Sequence, residues 1–141
     1  MAVPGFETKR LPSEPDVAAP DGSDVRILLS LAGGSMAHFS LAPGKVSRAV
    51  AHRTVEEIWY VLGGVGEMWR KAGAAEEIVA LEAGACISIP AGTSFQFRPT
   101  GDTPLQAVAI TMPPWPGEGE AVLVEGRWEA EISGRTSCAA S

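Results

Sequence analysis

Glycine and proline interrupt this chain so often that no apolar stretch between two interruptions exceeds the length of a strand. The interruptions are Gly33-Gly34, Pro43-Gly44, Gly63-Gly64, Gly73, Gly84, Pro90-Ala91-Gly92, Gly101 and Pro113-Pro114. Between and around them lie Val25–Leu31, Met36–Leu41, Ile58–Leu62, Val65–Arg70, Glu77–Leu81, Cys86–Ile89, Ser94–Arg98 and Leu105–Met112. Strand-length runs that recur roughly every ten residues between turn formers are the pattern of an antiparallel sandwich or barrel. Only Val55–Leu62 threads as an amphipathic helix. There Ile58, Trp59, Tyr60 and Val61 favour strands, and the glycine pair ends the run abruptly. The expected fold class is all-β and antiparallel.

One domain accounts for 141 residues, of which 45% are hydrophobic, enough for a single core. Residues 1–24 contain Pro4, Pro12, Pro15 and Pro20 among charges and read as an extended N-terminal arm. Residues 25–132 form the expected barrel with a C-terminal return segment, in which Trp128 is a candidate anchor. Residues 133–141 are small and polar and read as a flexible tail.

A net charge of −6 gives no electrostatic reason to bind nucleic acid or an anionic membrane, and neither partner is expected. Met1–Arg10 lacks the apolar run of a secretory signal, and two cysteines make no disulfide framework. The expected location is the cytoplasm. Gly63-Gly64-Val65-Gly66 is no dinucleotide loop, because no helix follows it.

His38 and His52 are the only histidines. Glu57 follows His52 after a connection short enough to join antiparallel strands, so imidazole and carboxylate can share an inner face. Alternation puts Trp59 and Val61 on the face of Glu57, and Phe97 on that of Phe95. The result is an aromatic-walled pocket with one polar corner, suited to a small organic ligand, or else simply the filling of a small barrel. Along the second run, Met36, His38 and Ser40 alternate with Ala37, Phe39 and Leu41, the better core set. A carboxylate beside His52 should raise the imidazole pKa. The pair then suits general acid–base chemistry.

The spacing resembles the cupin family. Its first motif is Gly, five residues, His, one residue, His, three or four residues, Glu, six residues, Gly. Gly44, His52, Glu57 and Gly64 fall in place here, with Val50 at the first histidine position. Its second motif is Gly, five residues, Pro, one residue, Gly, two residues, His, three residues, Asn. Gly84, Pro90 and Gly92 match, while Phe95 and Pro99 stand at the last two positions. The resemblance implies a double-stranded β-helix, or jelly-roll barrel.

Metal-binding cupins surround a transition metal with the three histidines and the glutamate, of which His52 and Glu57 remain. No cofactor is therefore expected. The alternative is a divalent transition metal held by His52, Glu57 and His38, as in a dioxygenase or isomerase. The favoured expectation is an enzyme that uses His52 and Glu57 for proton transfer, as in isomerisation, dehydration or cyclisation. Trp59, Val61, Phe95, Phe97, His38 and Val50 are then the ligand-contacting residues. A third expectation is a non-catalytic binding or sensing module with the same pocket. The arm and the exposed sheet edges suggest a homodimer. The stiff Met112–Gly117 segment either caps the barrel or packs on a partner.

Overall fold

The structure, a computed structural model, describes residues 5–132. The expected tail at 133–141 lies outside the described residues. Eleven strands follow one another with no helix among the described residues: β1 (Val17–Ala18), β2 (Asp24–Leu31), β3 (Gly34–Leu41), β4 (Val50–His52), β5 (Glu56–Gly63), β6 (Val65–Ala72), β7 (Ala75–Glu82), β8 (Cys86–Ile89), β9 (Ser94–Pro99), β10 (Leu105–Met112) and β11 (Ala121–Leu123). None of the described elements is a helix long and apolar enough to cross a membrane.

The strands form two antiparallel sheets, ordered β1-β2-β3-β10-β5-β8 and β11-β4-β9-β6-β7. Their inner faces meet in one core, as expected for a double-stranded β-helix. Period-two alternation is clearest on β5 and β10. Glu57, Trp59 and Val61 are buried between exposed Glu56, Ile58, Tyr60 and Leu62. Leu105, Ala107, Ala109 and Thr111 are the buried residues of β10. The register sets Ala109 opposite Trp59 and Ala107 opposite Val61. Two methyl side chains thereby leave room for the indole, which stacks on Phe39 at 5.7 Å and meets Phe97 edge-on at 4.9 Å. Phe97 belongs to the facing sheet, so Trp59 joins the two layers.

Gly64, between β5 and β6, shows why the punctuation is glycine. Its φ is +78°, and a Cβ there would run into the backbone of Pro104 and Leu105.

Two segments carry pairing that the runs themselves do not announce. Among residues 5–24, part of the expected extended arm lies along the barrel. Val17–Ala18 pairs with β2, and the turn after it buries Asp21 and Ser23. The rest of the arm is tied alongside, with Arg26 donating to Pro12 O and Ser13 O and Lys9 Nζ to Ile27 O. Alternation of short runs does not reveal such pairing, because it depends on bonds between remote segments. The return segment also contributes a strand, with β11 pairing β4 antiparallel at Ala121↔His52.

Gln96 stitches that return segment to the barrel. Its buried amide donates to Ser47 O and Trp128 O, both at 2.8 Å, and accepts from Arg127 N and Trp128 N, both at 2.9 Å. Arg98 covers the Trp128 ring at 4.1 Å. Replacing Gln96 with alanine leaves four polar partners without their bond. We expect Gln96→Ala to lose about 2–4 kcal/mol in denaturant unfolding and to become susceptible to trypsin after Arg127. An unchanged midpoint together with intact protease resistance would contradict this role.

Candidate functional site

His52 ends β4, Glu57 lies near the start of β5, and the turn between them is held from a distance. The Glu120 carboxylate accepts from Thr54 N and Val55 N at 2.7 Å each and from Thr54 Oγ1 at 2.8 Å. Arg53 N donates to Glu120 O, and Gly92 N to His52 O. With its turn clamped and both flanking strands paired, the sequence has little choice of where to aim the two side chains. His52 Nδ1 stands 3.3 Å from Glu57 Oε1, and both residues are almost fully buried. The atoms are not aligned as a hydrogen bond, so neither has a bonded partner among the described residues.

Hydrocarbon surrounds the pair. Phe95 approaches the imidazole edge-on at 5.2 Å, and Trp115 does so at 5.0 Å from the opposite part of the chain. Together they wall a cavity of about 610 Å³ whose lining includes Asp21, Val50, His52, Glu57, Trp59, Phe95, Thr111 and Trp115. From the Met112–Gly117 segment, Trp115 and Gly117 line the cavity, and Trp115 N donates to Ser35 Oγ. A second depression, beside Trp69, Lys71 and Arg127, shares none of these side chains.

Burial governs the charges. Burial, reinforced by nearby Asp21 and opposed by the Trp59 indole N–H, pushes the Glu57 carboxyl up to about 8. Burial likewise pushes His52 down to about 4, against the attraction of Glu120. The expected rise of the His52 pKa is thus reversed, because loss of water outweighs the neighbouring acid. Asp21 is also raised by burial, against its bonds from Ser23 N and Oγ. Glu120 behaves oppositely. Burial favours its neutral form, but the bonds from Thr54 and Val55, helped by His52, hold its pKa below the usual range.

Of the ligand-contacting residues expected from sequence, Trp59, Phe95 and Val50 line the cavity beside His52 and Glu57. Val61 and Phe97 do not line it; both are fully buried in the core. His38 is not at the site either. It pairs across β10 with Val108 on the face opposite Phe39, and its Nε2 lies 3.1 Å from Gln106 Oε1. This corrects its assignment both as a pocket residue and as a third metal ligand, and the cause is strand alternation. Asp21, Thr111 and Glu120 were missed. The only sequence signal for Trp115 was its proline-flanked stiffness.

The side chains present do not fit a tightly held transition metal. His52 and Glu57 are two donors where such sites usually supply three or more, and Val50 and Phe95 add only hydrocarbon. Among the described residues, no group of three histidine, cysteine, aspartate or glutamate side chains is arranged to hold an ion.

Comparison with known proteins bears on the fold and the family. None of the curated proteins compared with the chain matches it. A conserved protein of Klebsiella pneumoniae, described as having a double-stranded β-helix domain, superposes with a TM-score of 0.62 at 18% identity, covering 77% of this chain and 89% of that one. A Bacillus halodurans protein gives 0.61 at 22% identity, with coverages of 72% and 79%. Bacillus subtilis oxalate decarboxylase, which has Mn(II) centres, gives 0.66 at 20% identity; 79% of this chain spans only 30% of that enzyme. These likenesses show a shared fold. Residues 37–111 match the family described as Cupin domain, more than half of the chain and the stretch that carries both His52 and Glu57. The chain therefore belongs to the cupin domain family.

Proposed function

We propose that this cupin acts on a small organic molecule by proton transfer at His52 Nε2, with Glu57 as the positioning residue, and needs no tightly held metal. The observation that carries the reading is the His52–Glu57 pair, 3.3 Å apart and enclosed by aromatic rings in a ligand-sized cavity. With Glu57 raised to about 8 and His52 lowered to about 4, the pair holds one titrating proton across the neutral range. That count is the same whichever partner carries it.

One proton shared in this way makes a shuttle. When the protonated carboxyl donates to Nδ1, the ring hydrogen sits on Nε2 and can pass to a substrate atom. The carboxyl proton then moves to Nδ1, and the imidazole stays neutral throughout. The reverse sequence takes a proton from the substrate and returns one to Glu57. Such a pair suits isomerisation or dehydration next to a carbonyl.

Hydrogen–deuterium exchange tests the chemistry. Tag-free protein, dialysed against chelator and mixed with an enolisable aryl ketone such as phenylacetone in D₂O, should accelerate exchange of the acidic C–H above the buffer rate. His52→Gln should retain the fold and lose about a hundredfold of that acceleration. Equal rates in both proteins would contradict the assignment. Activity that vanishes on chelation and returns with manganese or iron would assign a metal-dependent reaction instead.

Stability against pH tests the shared proton. The folded Glu57 pKa lies above the ordinary 4.5, so its protonated form favours the fold, and that contribution is lost as pH rises towards 8. The folded His52 pKa lies below the ordinary 6.5, so its contribution is lost as pH falls towards 4. The two slopes oppose each other between 4.5 and 6.5. Above 6.5 only the carboxyl slope remains. Stability should therefore fall by roughly 1 kcal/mol between pH 6.5 and 8, and Glu57→Gln should flatten that segment. Parallel curves for the two proteins over this interval would refute the one-proton pair.

A further inference from the structure

We propose that the His52–Glu57 cavity takes an organic ammonium ion, its charged nitrogen held between Asp21 and Glu57 and its apolar body against Trp59, Phe95 and Trp115. This names a ligand class for the cavity described above and rests on the reading of that cavity as a small-molecule site.

The charge inventory of the cavity is one-sided. Its lining carries Asp21 from the turn before β2, Glu57 from β5 and Glu118 from the segment before β11, and no lysine or arginine. The Arg48 guanidinium, whose charge favours ionisation of Asp21, is exposed, donates to Pro20 O and does not line the cavity. Asp21 and Glu57 are both buried, and they lie close enough for one to disfavour ionisation of the other. Buried acids are ordinarily matched by a cation or by a full set of hydrogen-bond donors. Asp21 has two neutral donors, both from Ser23. Glu57 Oε1 has none among the described residues.

A second observation concerns the indole beside Glu57, whose N–H opposes the rise of that carboxyl. Trp59 Nε1 is buried with no bonded partner, and its ring forms part of the wall. With Phe95 and Trp115 it offers aromatic surface on several sides of one space. Aromatic faces attract a cation that has left water, and carboxylates beside them fix its position. Bound there, an ammonium group would supply opposite charge to Glu57 and add to that of Arg48 at Asp21. It would also hold Glu57 as the carboxylate, which can accept from Trp59 Nε1. An anion in the same place would add like charge to a site with no positive side chain to offset it.

Isothermal titration calorimetry with three probes of one shape decides the class: phenethylamine, 2-phenylethanol and phenylacetate. The amine should bind about tenfold or more tightly than the alcohol, with the carboxylate weakest, and the amine's advantage should shrink as salt is added. Asp21→Asn should weaken the amine about tenfold and leave the alcohol unchanged, so the alcohol reports whether the variant's cavity is intact. Should that variant not fold, the ranking on the unaltered protein still decides. Alcohol or carboxylate binding as tightly as the amine would overturn the ammonium assignment and leave the small-molecule cavity standing. Absence of any amine binding would overturn it too. The exchange experiment with an uncharged ketone fails or succeeds independently of this ranking.

Discussion

A carboxyl group held away from water, within reach of one imidazole, is the constraint around which this barrel mouth is organised. Placing Glu57 in such surroundings disfavours its ionised form, and placing His52 there disfavours its protonated form. The Trp59 indole N–H and the Glu120 charge oppose these penalties without cancelling them, and Nδ1 and Oε1 make no aligned bond with each other. The pair persists because other interactions hold its backbone. Glu120 grips the intervening turn through three bonds, β11 pairs with β4, and Trp115 closes over the ring.

Two positions that carry histidine in the cupin motifs carry hydrocarbon here. Val50 and Phe95 are neighbours across the β4–β9 pairing, so the two substitutions turn one patch of inner wall from donor to hydrocarbon. That wall then supplies the low-dielectric surroundings that perturb the remaining two groups. Apolar replacement and altered acidity are therefore one physical change.

The fold was legible because its determinants are local. Glycine at positions such as Gly64, and strict alternation along β5 and β10, declare turns and inner faces without any knowledge of partners. His52 and Glu57 could be read for the same reason, being joined by one short turn. The remainder of the site depends on contacts between distant segments. Asp21 enters through a two-residue strand within a proline-rich stretch, and Glu120 reaches a turn more than sixty residues earlier in the chain. Val61 and Phe97 share the inward face of the true wall residues but sit in the packed core, a difference of depth that period-two reasoning does not resolve. The direction of the His52 shift was misread because adjacency to an acid is visible in sequence, whereas the extent of burial is not.

Direct titration of the Glu57 side-chain carboxyl by carbon-13 NMR, with His52 followed through its ring nitrogens, tests the central claim. The account predicts a Glu57 midpoint near 8 and an imidazole that remains largely neutral until the solution is distinctly acidic, near 4. A Glu57 midpoint in the ordinary carboxylate range, with His52 titrating near 6.5 as a free imidazole does, would contradict it.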